Sequence, residues 1–250
     1  MIHLRTVLTI VAVGSALAGV RGHAQEPAEA LPGGRIVKLP GLVADLENRH
    51  VDLDATVCLD NGMLELIACT RDTKEHESIV AVEARPMHIH TALLLVGLRN
   101  GNPAMSRRVD GDPPRWVAVP PRGDAVEVSL VVTGVDGQPV ELPIRHFVAR
   151  ADAGDVPPVP GDPEADAEAA FPDAFVFAGS QVHTDPQGKR QYLADASGHV
   201  ISIATFGDEV LCTPAVSSAD NESLVWAVNP EMLPKVGTHV ILRLRPKQAE

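Results

Sequence analysis

Short apolar stretches alternate with polar ones along this chain at intervals that suit strands more often than helices. Val51-Asp52-Leu53-Asp54-Ala55-Thr56-Val57-Cys58-Leu59 alternates over most of its length and predicts a strand with one apolar face. Asp60-Asn61-Gly62-Met63 follows, with Asn61-Gly62 at the centre of a two-residue turn. Met63 to Thr70 is the predicted hairpin partner. Ser78 to Arg85 predicts a third strand. Pro86 then opens a stretch to Leu98 with a different period. Ile89, Ala92, Leu93 and Val96 fall on one helical stripe, proline suits the first helical position, and Asn100-Gly101-Asn102-Pro103 stops the helix.

Further along, Ala125 to Val132 and Val140 to Val148 predict strands around the turn Val135-Asp136-Gly137-Gln138. Phe175-Val176-Phe177 predicts another, and Gln191 to Asp195 with His199 to Ala204 predict a hairpin around Ala196-Ser197-Gly198. Leu224 to Val228 and His239 to Arg245 complete the set. Ala151 to Asp173 differs: five prolines among acidic and alanine residues cannot bury a core, so it reads as a disordered acidic loop. The expectation is an α+β domain, mostly antiparallel β with one main helix at about residues 86–98. It occupies residues 35–250 as a single domain.

The N-terminus changes the picture. Val7 to Val20 is apolar or small apart from Thr9, Gly14 and Ser15, follows Arg5, and ends before Gly22 and Ala24, which suit a signal peptidase site. Residues 1–24 therefore read as a secretory signal peptide, too short to span a bilayer, and 25–34 as a flexible lead-in. The expected location is periplasmic or extracellular, with no membrane association after cleavage. The whole chain carries 21 Lys+Arg against 33 Asp+Glu, a net charge of -12. That balance, with aromatics at 3%, argues against nucleic-acid binding.

An oxidising compartment permits disulfides, and the cysteines are Cys58, Cys69 and Cys212. In the predicted hairpin Cys58 faces Glu65, which offsets it from Cys69 by about 13 Å, too far for a bridge. A bridge from either to Cys212 stays open. The plainer reading is three reduced, buried thiols. Their spacing does not suit an iron–sulfur cluster.

Ligand-type residues concentrate at Thr73-Lys74-Glu75-His76-Glu77-Ser78 and His88-Ile89-His90. His76, Glu77, His88 and His90 resemble a divalent-metal set, for zinc through imidazole and carboxylate or for copper with Met87 nearby. Against this, residues two apart on a helix point about 200° apart, so His88 and His90 diverge. Surface charge and helix-flanking histidines explain the same residues. Acid–base work by His76 with Glu75 or Glu77 would need a nucleophile, and Ser78 and Ser180 qualify by residue type alone.

These segments resemble a known family. Val57-Cys58-Leu59, Leu64 to Cys69, Thr73 to Ile79 and His88 to Leu94 look like the YdjY-like domain. So do Phe177-Ala178-Gly179-Ser180, Tyr192-Leu193-Ala194-Asp195 and Gly237-Thr238. The resemblance implies an exported bacterial protein of the planctomycete type, one domain across most of residues 35–246, and no particular reaction. The expected function is binding or scaffolding of a protein or small-molecule ligand, without catalysis. The alternative is a zinc- or copper-binding protein or metal-dependent enzyme using the histidine patch.

Overall fold

Strands with one apolar face need a cover for it, and here they supply it by curling onto themselves. The computed structural model describes residues 35–111, 113–151, 170–216 and 224–248. Among these, eleven strands share one sheet. In chain order they are β1 Ile36–Leu39, β2 Leu42–Asp45, β3 His50–Val57, β4 Leu66–Thr70, β5 Ser78–Val82 and β6 Ala125–Thr133. There follow β7 Pro139–Pro143, β8 Phe175–Phe177, β9 His199–Ser202, β10 Leu211–Cys212 and β11 His239–Pro246. Eight close into a barrel in the order β3-β11-β6-β8-β10-β9-β4-β5, and β5 returns to β3. Neighbours are antiparallel except β4 with β5 and β9 with β10. The ring lies in a compact unit spanning Gly34–Glu250.

This corrects the α+β expectation: the fold is mostly β and built on a closed barrel. The described helices are α1 Pro86–Leu95 and α2 Leu193–Ser197, and α2 has only five residues. Closure came from a pairing that local pattern could not show. The predicted hairpin between β3 and the following strand does not form. Instead β5 lies between β3 and β4, antiparallel to one and parallel to the other. Gly62 takes φ +123, but Met63 then bridges to Ala227 and the chain does not turn back onto β3.

Two kinds of strand build the barrel. In β3, β6 and β11 burial alternates, and the register aligns Leu53 with Leu242 and Leu242 with Leu130 as one core layer. Burying such a leucine contributes about 1.5–3 kcal/mol. By contrast, β5 and β9 are buried at every residue, as expected for strands covered on both faces. The 3-10 turn Glu75–Glu77 and α2 pack over this side.

Helix α1 buries Ile89, Ala92 and Leu93, the predicted stripe, against β2, β3 and α2. Leu193-Ala194-Asp195-Ala196-Ser197, expected to be largely strand, is helical; its leucine and alanines are good helix formers. Gly198 closes it with φ +82, where a Cβ would strike Thr70 and Thr73. The proposed signal segment 1–24, the lead-in 25–34 and most of the acidic loop lie outside the described residues. At the loop's described end Phe171 packs edge-on to Phe175 and Trp226.

Candidate functional site

The histidine patch is not gathered into one site. His76 is exposed on the 3-10 turn, with Nε2 3.6 Å from Glu77. Glu77 instead accepts from Lys74 Nζ at 2.6 Å. His88 is half-buried, with Nδ1 enclosed and unpartnered. Nδ1 of His90 lies 3.1 Å from Gly179 O and 2.9 Å from Tyr192 Oη. Burial holds the His90 imidazole below its ordinary pKa. Among the described residues no group of three or more His, Cys, Asp or Glu is arranged to hold a metal.

The family-like segments do converge, in a manner that is structural. Tyr192 Oη donates to Gly179 O at 2.9 Å, and the His90 ring packs edge-on to Phe177 and Tyr192. Ser180 adopts φ +55, donates to Asp208 O and accepts from Ala194 N at 3.1 Å. Ser78 donates to Lys74 O at 2.7 Å. Both serine hydroxyls are thus committed to backbone. Asp195 accepts from Met87 N at 2.9 Å and pairs with Arg85, so it satisfies the open first turn of α1.

A buried pair that sequence reasoning missed lies beside this cluster. His199 Nδ1 is 2.7 Å from Asp208, and Phe206 covers the imidazole at 4.2 Å. Burial pushes the Asp208 carboxyl up, but the His199 hydrogen bond outweighs it and holds it below the usual range. Glu209 is fully buried and its pKa is raised by that burial. Nine residues of separation across a crossover carried no motif to reveal the pair.

The cysteines need a correction. With β5 between β3 and β4, the offset that separated Cys58 from Cys69 does not exist, and the two thiols interact. The neighbouring Cys58 thiol outweighs burial and lowers the Cys69 thiol below its ordinary pKa. All three cysteines are free.

A concave basic feature lies elsewhere, where the β2–β3 turn, the segment after α1 and the end of β11 meet. An open cleft of about 720 Å³ is lined there by Arg49, Leu98, Arg99, Asp124, Arg245 and Lys247, among others. Four cations face two carboxylates, Glu47 and Asp124, on a chain of net charge -12. Arg49 is held at φ +51, with Nε donating to Val96 O at 3.1 Å. Arg99 anchors to Asp124 through its backbone N–H at 2.9 Å and through its guanidinium, which holds the Asp124 carboxyl below its ordinary range. Arg245 pairs with Glu141. Lys247 is fixed through its backbone, which donates to Ala125 O at 2.9 Å. A second cleft of about 480 Å³ shares Arg245 and Lys247 and adds Arg145. These cations come from four separated segments, and no short motif contains them.

No curated protein and no solved structure matches the chain. The family model of the YdjY domain matches residues 42–245, which takes in the barrel strands to within one residue, both helices, and the cleft residues up to Arg245 but not Lys247. The chain therefore belongs to the YdjY-domain family.

Proposed function

We propose that this protein is a binding domain without catalysis, and that it holds a small organic anion in the basic cleft. One observation carries the reading: four cationic side chains concentrate in a concave site on an otherwise acidic chain. The lining offers guanidinium groups, which suit planar carboxylates through paired hydrogen bonds. It contains no His, Cys, Ser, Thr or Tyr, so a nucleophile and an imidazole base are both missing from it. Asp124 is tied to Arg99, whose guanidinium holds its carboxyl below the ordinary range. Export is part of the proposal and rests on the sequence of residues 1–24.

Titration calorimetry at low ionic strength with glucuronate, succinate and inorganic phosphate tests the reading. Saturable binding that weakens with added salt and falls about tenfold in Arg99→Ala or Lys247→Ala is the expected result. Tight zinc or copper uptake by the purified chain, with no anion binding, would favour the metal alternative instead.

A further inference from the structure

Met105–Val109 and Arg115–Val119 form an antiparallel ribbon separate from the main sheet. Its register pairs Arg107 with Val117, Arg108 with Trp116 and Val109 with Arg115. Directly paired residues share a face, so Arg108 and Trp116 stand together on one side, and Arg107 and Arg115 stand on the other. Neither side is covered: all three arginines are exposed, and Trp116 is 69% exposed. The other tryptophan, Trp226, is packed against Phe171. An isolated two-stranded ribbon is marginal in water by itself, and a bare indole on it has no structural use.

Among the described residues the ribbon's arginines also lack an ion-pair partner. Every described ion pair of an arginine involves Arg71, Arg85, Arg99, Arg145, Arg243 or Arg245. Arg107, Arg108, Arg115 and Arg122 are in none of them, although the chain is acidic overall. The sequence between the two strands holds Asp110 and Asp112, against Arg107, Arg108 and Arg115 on the strands.

We infer that this ribbon is a docking site for an acidic polysaccharide. A carboxylate- or sulfate-bearing polymer supplies what the ribbon lacks: anions for the guanidinium forks and sugar C–H faces to stack on the indole. Neither described cleft includes a residue of the ribbon, so a small anion has no walls to hold it there. The cations on opposite faces suit a flexible chain that can pass over both. A flat bilayer reaches one face and would bring the acidic remainder of the molecule against its own charge. A nucleic acid would find a single exposed aromatic platform.

The experiment is affinity electrophoresis of the full chain through gels containing alginate, neutral dextran or neither, alongside indole fluorescence. Retardation by alginate alone, abolished by added salt, with a fluorescence shift that disappears in Trp116→Phe, is the expected outcome. The triple variant R107A/R108A/R115A weakens retardation by about tenfold or more. An unchanged thermal midpoint confirms that it is folded. Equal retardation by dextran, or alginate binding that survives the triple variant, overturns the inference. Binding to duplex DNA or phosphatidylglycerol vesicles without binding to alginate overturns it as well.

Discussion

The barrel and the ribbon obey the same strand rules to opposite ends. In β3, β6 and β11 Leu53, Leu242 and Leu130 pair across neighbouring strands and face a closed interior. In the ribbon, Val109, Val117 and Val119 are only half-buried, and Trp116 stands in solvent. Alternation alone does not bury anything. Burial follows when enough strands pair to wrap the apolar face, and a two-stranded element cannot do that. What the ribbon keeps exposed is therefore available for recognition, whereas the barrel residues mainly hold the frame.

The comparison is broken most sharply in the core. Phe177→Ala removes a fully buried ring that packs on His90, and should cost about 3–5 kcal/mol in urea unfolding. A loss below about 1 kcal/mol would mean that the barrel wall is not tightly packed there. The junction comes next. Gly123 sits at φ +152, at the foot of the ribbon, where an added Cβ would meet Phe177 O at 2.0 Å. Gly123→Ala should cost about 2 kcal/mol or more and displace the ribbon, read by thermal unfolding and by protease sensitivity near Arg115.

A smaller effect belongs to the outer face of the barrel. Arg243 bridges Asp52 on neighbouring β3 at 2.6 Å and Glu141 on β7, one strand beyond β6, at 2.8 Å. Burial raises the Glu141 carboxyl, but hydrogen bonds from Arg245, Ser129 and Arg243 outweigh it and bring it to about 2. A carboxylate depressed in the folded state contributes stability above its unfolded pKa and loses it as pH falls. The window here runs from about 4.5 down to about 2. Glu141→Gln should flatten the acid limb of a stability–pH curve in that window, with about 1 kcal/mol or less lost at pH 7. An unchanged acid limb would remove Glu141 from the account. The smallest change is expected for Trp116→Ala: stability should stay within about 0.5 kcal/mol, since the ring is largely exposed. A larger loss would mean that the ribbon leans on the barrel.

Local elements were readable where local chemistry decides them. The stripe of Ile89, Ala92 and Leu93 placed α1, and Val135-Asp136-Gly137-Gln138 placed the β6–β7 turn, where Gly137 takes φ +79 and Gly134 N donates to Gln138 O at 2.7 Å. Strand partners were not readable. The Asn61-Gly62 signal suggested a hairpin, and β5 took the place beside β3. Of the predicted ligand residues, His90 entered the buried Tyr192 cluster while His76 stayed in solvent, because α1 and the 3-10 turn face different surroundings. The cleft cations, the ribbon arginines and the His199–Asp208 pair carried no spacing signal, since each set is assembled from segments far apart or from ordinary exposed positions.

The sequence by itself determined the strand-rich character, the position of the main helix, the acidic balance and membership of a family through short recurring segments. These depend on side-chain periodicity, turn chemistry and charge, all of which act over a few residues. Only the tertiary structure decided that the sheet closes, that Cys58 and Cys69 meet, that the histidine patch disperses and that cations from three segments share one cleft. Those outcomes depend on which strand edges find each other, and edge pairing is a choice among distant segments that neighbouring residues do not encode.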